Sequence, residues 1–230
     1  MTTILALETS RSLCSVAVQN PQGRFEDTRK VERLHNEVVL TMVDELCERA
    51  ALARDAIDVV AFGAGPGSFT GVRIAAAVAQ GIAFGVGAVI VPVASSLALA
   101  HCAVRQASPP PARVVTMTRS RRDAYYLAGF TLNDGVLTQI VEDMLCTGWP
   151  PEFVQPGWVA VGDKPPWWGA DALADEATVQ WAGEIYLTAG LIAELGLAGY
   201  ATGDALDPAA GLPIYVGGDS PWIAMRQDDA

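Results

Sequence analysis

Apolar and polar positions alternate in short blocks through the first third of the chain. Residues 4–8 form an apolar run, Thr9 to Ser12 a polar turn, and residues 13–19 a second apolar run. Asn20-Pro21-Gln22-Gly23 has the composition of a tight turn, and a more polar third strand follows through Lys30. Three strands joined by tight turns make a meander, not a βαβ unit. From about 35 to 51 the period lengthens. Val38, Val39, Met42, Val43, Leu46 and Cys47 recur at helical spacing, opposite Glu37, Asp44, Glu45 and Glu48. Residues 57–63 are nearly all apolar, as in a strand covered on both faces. The pattern then predicts a helix over 72–84, a strand over 88–93 and a helix over 95–105, capped by Ser95 or Ser96.

This unit order, three strands, helix, strand, helix, strand, helix, is that of one lobe of an actin-like (ribonuclease H-like) α/β fold. Ala107-Ser108-Pro109-Pro110-Pro111 is the obvious linker, so a first lobe at 1–108 and a smaller second lobe at 109–230 are expected. Strands resume at 113–117 and 124–130, with a hairpin turn at Leu132-Asn133-Asp134-Gly135. Beyond it the pattern is irregular: 149–157 is broken by proline, 158–162 reads as a strand and 186–197 as a helix. The second lobe is expected to be reduced and irregular, and the lobes show no sequence repeat.

Composition narrows the function. Half of the residues are apolar, yet no uninterrupted apolar run reaches spanning length; the longest candidate, 86–100, contains Gly87, Pro92, Ser95 and Ser96. With no basic leader and no cleavage signal, a cytoplasmic protein without membrane contact is expected. Cys14, Cys47, Cys102 and Cys146 are far apart and read as reduced thiols. A net charge of -11 opposes binding to a nucleic-acid backbone by this chain alone.

The segment from Gly63 to Gly71 links a buried strand to a helix. It is neither a Walker loop nor a dinucleotide fingerprint. Spacing alone leaves two readings open: a phosphate contact at the helix N-terminus, or a turn whose glycines admit close backbone packing. Ser68 and Thr70 are both candidate caps.

The complete string is more specific. Ile4-Leu5-Ala6-Leu7-Glu8-Thr9-Ser10, Arg33-Leu34-His35, and Gly65-Pro66-Gly67-Ser68-Phe69-Thr70-Gly71-Val72-Arg73 resemble the TsaB (YeaZ) family over residues 3–105. The resemblance implies an actin-like protein that acts with the related catalytic subunit TsaD and the ATPase TsaE. That system makes N6-threonylcarbamoyladenosine at position 37 of tRNAs reading codons that begin with A. It further implies tRNA contact only through the complex, and a homodimer when the chain is isolated. The expected interface is the helix pair bearing Val39, Met42, Val43, Leu46, Val72, Ala75, Ala76, Ala79 and Ala83, launched by Gly65, Pro66, Gly67, Ser68, Thr70 and Gly71. On residues alone, a core helix is an equal reading of 72–84.

A subunit is expected, not a catalyst. Where TsaD-like relatives carry two metal-binding histidines one helical turn apart, this chain has Ser95 and Leu99. His35 and His101 are isolated. No metal, no catalytic residue and no cofactor are expected in the isolated chain; ATP or ADP would belong to the shared interface. The first hairpin of lobe two, Thr116 to Asp123, lacks the glycines of a second phosphate loop. Glu8 is open to two readings, a magnesium-water acid or a carboxylate capping its own turn. The alternatives are a stand-alone actin-like ATPase or glycoprotease-type enzyme, and a self-associating structural module. Three departures weaken any transfer of second-lobe contacts: the basic cluster Arg119, Arg121 and Arg122, Gly217 in place of an arginine, and a tryptophan-rich stretch around Trp167 and Trp168.

Overall fold

The computed structural model describes residues 2–31, 34–121, 123–169 and 179–217. Its first sheet is built from β1 (Ile4–Glu8), β2 (Leu13–Asn20), β3 (Gly23–Lys30), β4 (Val59–Gly65) and β5 (Val89–Ala94), in the order β3-β2-β1-β4-β5. The predicted meander is present, and β1 then pairs in parallel with β4, placing Leu5 opposite Val60. Every residue of β1 and of β4 is buried, which explains their near-continuous apolar sequence. Helices α1 (His35–Arg49) and α2 (Phe69–Val86) cover the Leu5 and Leu7 face.

The second sheet contains β6 (Arg113–Arg121), β7 (Ala124–Asn133), β8 (Val136–Cys146), β9 (Trp158–Gly162) and β10 (Val179–Gly183), ordered β10-β9-β6-β7-β8. Its topology repeats that of the first: an antiparallel meander of three, then two strands added in parallel on the other side. The reduction expected of this lobe therefore lies in its helices, not its sheet. Among the described residues from β6 to β10 there is no α-helix. Edge strand β8, absent from the sequence prediction, continues from the Asp134-Gly135 turn, where both residues adopt positive φ.

Two helices fill the space between sheets. Helix α3 (Ser95–Gln106) packs Leu99, Ala100 and Ala103 on Val114, Ala128 and Phe130 of the second sheet. Helix α4 (Ala189–Thr202) packs Ile192 and Ala193 on Ile4, Ala6, Val59 and Ala61 of the first. The contact is close. A Cβ at Gly196 would stand 2.5 Å from that of Ala61. The segment 109–230, expected as the second lobe, thus lends helix α4 to the first sheet.

Two local expectations change, and the tryptophan-rich stretch takes one of the two arrangements open to it, an exposed loop or a packed edge. Ser95 and Ser96 do not cap α3, whose N-cap is Ala94 without a side-chain bond; both hydroxyls reach other elements. Helix α2, not 86–100, has the length and hydropathy of a membrane span, but its inner face lies in the core and Arg73 and Gln80 interrupt it. The tryptophan-rich stretch is a packed edge: Trp167 and Trp168 meet Tyr125, Trp149 and Trp181 edge-on at centroid distances of 5.1–6.0 Å.

Candidate functional site

The glycine loop is a joint between β4, α2 and the turn after β1. Ser68 N donates to Ser10 O at 2.8 Å, and Thr9 Oγ1 donates to Gly71 O at 2.8 Å. The glycines permit that approach. A Cβ on Gly67 would sit 2.7 Å from Ser10 O, one on Gly71 would land on Thr9 O, and one on Gly63 on the Glu8 carboxylate. Ser68 caps α2 by accepting from Gly71 N at 3.3 Å; Thr70 is exposed beside it. Pro66 and Gly65 are buried, and Gly65 N donates to Ser95 Oγ at 3.1 Å. The Gly65, Ser68 and Gly71 amides, which a phosphate cradle could offer, are therefore spent on packing. The close-packing reading of the loop is the one the geometry carries.

Glu8 lies at the centre of this joint and is 1% exposed. Its Oε1 accepts from Ser10 N at 2.6 Å, closing its own turn, while Oε2 has no hydrogen-bond partner among the described residues. Burial raises the carboxyl pKa, opposed by hydrogen bonds from Ser10, the Arg11 charge and Ser95. Both earlier readings of Glu8 met at this point; the turn contact is what the structure contains.

The position at which the resemblance would place a histidine pair is closed. Ser95 and Leu99 are 3% and 1% exposed, and neighbouring Ser96 donates to Asp143 Oδ2 of β8 at 2.9 Å. His35 begins α1 and His101 lies within α3, where burial lowers its pKa. Among the described residues no three His, Cys, Asp or Glu side chains gather closely enough to hold a metal. Of the free cysteines, Cys14, Cys47 and Cys146 are buried; burial pushes the Cys14 and Cys146 thiols up to about 11, which keeps them protonated.

The nine residues expected at the pairing surface, Val39, Met42, Val43, Leu46, Val72, Ala75, Ala76, Ala79 and Ala83, face inward. None exceeds 5% exposure, and all but Val72 belong to the core cluster on the first sheet. The physical reason is simple: a helical apolar stripe marks whichever face is buried, and here the sheet buries it. The outward faces carry Leu40, Phe69, Ala77, Gly81, Phe84 and Gly85 instead. Arg73 stacks on Phe69 at 3.3 Å and reaches Tyr215 at 5.1 Å. Ile214 N, donating to Ala64 O at 2.8 Å, holds that C-terminal segment beside the loop.

Sequence reasoning missed an ion pair that joins the lobes. Arg11, in the turn after β1, pairs with Asp163, directly after β9. Of the basic cluster, Arg119 lines the space beside this pair, Arg121 is exposed at the end of β6, and Arg122, like Arg33 of the sequence motif, lies outside the described residues.

Two sheets of one topology, facing each other across α3 and α4 with a cleft at the β1 turn, define a two-lobed ribonuclease H-like α/β protein. The family model for TsaD, tRNA N6-adenosine threonylcarbamoyltransferase, matches residues 28–147. A Pseudomonas aeruginosa protein described as similar to peptidase YEAZ superposes with a TM-score of 0.80 at 30% identity, covering 94% of this chain and 100% of that one. YeaZ from Pseudomonas aeruginosa gives the same TM-score at 28% identity. The tRNA threonylcarbamoyladenosine biosynthesis protein TsaB of Haemophilus influenzae is 41% identical over 101 residues, 44% of this chain and 43% of that protein. TsaB of Escherichia coli is 35% identical over 103 residues, 45% of each. The chain belongs to the TsaB (YeaZ) family, and it spans somewhat less than half the length of these curated relatives.

Proposed function

We propose that this chain is a non-catalytic subunit in the formation of N6-threonylcarbamoyladenosine at position 37 of tRNAs reading codons that begin with A. In this reading it pairs with TsaD and works with TsaE, and tRNA is met through the complex, consistent with a net charge of -11. The observation that carries the proposal is the outer surface of α1 and α2. Leu40 is 52% exposed and Phe84 61%. Ala77, Gly81 and Gly85, four apart on α2, leave a shallow strip between them. Nothing lies within 4 Å of a Cβ built on Gly81 or Gly85. A helix buried on one side and small and apolar on the other accepts a second helix at close range.

Closure of the Ser95 and Leu99 position supports the non-catalytic part. The printed names of the relatives, biosynthesis proteins of this same modification, support the pathway. Self-association of the isolated chain would use the same strip.

Reconstitution tests the proposal. With TsaD, TsaE, unmodified tRNA and a threonylcarbamoyl donor, modified adenosine is expected only when this chain is added, together with a mixed TsaD species on size exclusion. Full modification without the chain would refute the subunit role. Modification by the chain alone would establish the stand-alone enzyme instead.

A further inference from the structure

The outer face of α2 is met at one end by the chain's own C-terminal segment. Phe69, Arg73, Ala77, Gly81 and Gly85 are spaced four apart and form one row along the helix. Tyr215 lies over Arg73 at 5.1 Å, and the bond from Ile214 N to Ala64 O holds that approach in place. The described chain stops at Gly217, just past this contact. At the far end of the row a groove of about 970 Å³ opens between the last turns of α1 and α2 and the short turn at Arg54–Ala56. Cys47, Leu52, Ile82 and Val86 give it an apolar lining. Asp44, Glu48 and Asp55 add three carboxylates, against one cation, Arg54, which is already paired with Asp44. A Cβ on Gly85, which lines the groove, would meet nothing within 4 Å.

The sequence beyond Gly217 has the chemistry this groove would accept. In residues 218–230, Trp222, Ile223 and Met225 form an apolar cluster followed at once by Arg226. The acids of the segment, Asp219, Asp228 and Asp229, stand on either side of that cluster. Apolar anchors suit the lining, and a guanidinium suits the carboxylates. Length agrees as well. The twelve residues of helix from Arg73 to Gly85 span ~18 Å, whereas the seven from Tyr215 to Trp222 reach ~23 Å when extended. A segment tethered this close is present at roughly millimolar effective concentration, so modest contacts suffice.

We propose that residues 218–230 fold back along the outer face of α2 and seat Trp222, Ile223 and Met225 in the groove, with Arg226 against Glu48 and Asp55. Resting on the reading of that face as the TsaD contact, the segment is an internal competitor. The tail and TsaD occupy the face in turn, never together.

The test uses the full chain labelled with 5-fluorotryptophan, the Trp222 fluorine resonance being assigned through Trp222→Phe. That resonance should stand apart from its position in a free peptide of residues 218–230. Gly85→Glu, which puts a charge in the groove, should return it to the free-peptide position. Arg226→Glu should move it part of the way. Coincidence of the wild-type and free-peptide resonances, or a resonance indifferent to Gly85→Glu, would overturn the docking. Should Gly85→Glu fail to fold, the comparison of wild type with peptide still decides. A displacement that fades on dilution would assign the groove to the tail of a second copy and overturn the internal contact. Binding of TsaD tests the competition separately. Trp222→Asp should bind it about threefold tighter than wild type, the gain when a competent state populated at about one third becomes dominant. A displaced Trp222 resonance with unchanged TsaD affinity would uphold the docking and overturn the pairing assigned to this face.

Discussion

Replacing Ala76 or Ala77 by glutamate separates the two faces of α2 within one residue of sequence. Ala76 is 4% exposed and belongs to the core cluster on the first sheet, whereas Ala77 is exposed. A glutamate at 76 must either bury a carboxylate with no partner or push α2 off the sheet. Unpaired buried charge and overpacking together cost at least ~4 kcal/mol, a large part of the ~5–15 kcal/mol that holds a typical domain. Ala76→Glu should therefore shift the urea midpoint far downward or abolish soluble expression. Ala77→Glu should leave the midpoint within ~0.5 kcal/mol of wild type. If the strip formed by Ala77, Gly81 and Gly85 meets a helix of TsaD, that same substitution places a charge in a dry contact. It should then weaken binding by ~2 kcal/mol or more, about thirtyfold in Kd. Urea denaturation and titration calorimetry with TsaD give the two readings. Ala77→Glu that folds normally and binds TsaD undiminished would refute the outward-strip assignment; Ala76→Glu of wild-type stability would refute the helix orientation itself.

Glycines at 71 and 81 should respond to alanine with opposite signs. Gly71→Ala drives a methyl into Thr9 O and should cost ~1–3 kcal/mol; Gly81→Ala meets empty space and should gain ~0.5–1 kcal/mol from helix propensity. Urea midpoints check both, and equal responses would contradict the packing described for the loop. Glu8 makes a pH prediction. Its folded pKa is raised by burial, so folding favours the protonated form, and its contribution to stability is greatest below the unfolded value of about 4.3 and declines as pH rises through the folded value. Glu8→Gln should remove that decline and gain on wild type between acid and neutral pH. A stability difference between the two proteins that does not vary with pH would rule this out.

The first lobe was legible because its strands and helices sit in one dense core. Ile4, Leu5, Ala6 and Leu7 are buried on both faces of a sheet, and α1 has a full apolar stripe, so period and burial agree. Elsewhere the agreement lapses. Strand β8 is an edge strand, exposed along much of its length, and carries no clean alternation. Strand β10 is five residues long and pairs in parallel with β9, a partner with no local signal. The facing of α2 was misread because its residues are small or apolar nearly all round, leaving orientation to the tertiary environment. Arg11 and Asp163 meet across 152 positions of sequence, and nothing in either neighbourhood announces the other. The loop motif was visible at once, yet its meaning was not. Its glycines answer to Glu8, Thr9 and Ser10 at more than fifty positions' remove, as the Thr9–Gly71 bond spanning 62 positions shows.

Helix α4 gives the chain an order of completion. The first sheet is finished by residue 94, but its Ile4, Ala6, Val59 and Ala61 face stays bare until residues 189–202 arrive. On a ribosome, helix α3 and the five strands of the second sheet would be translated while that apolar face waits. The lobe that starts first closes last. Its security during synthesis thus depends on how quickly the distal part of the chain is delivered, and a truncated product ending before α4 would carry an open greasy wall that chaperones and proteases can read.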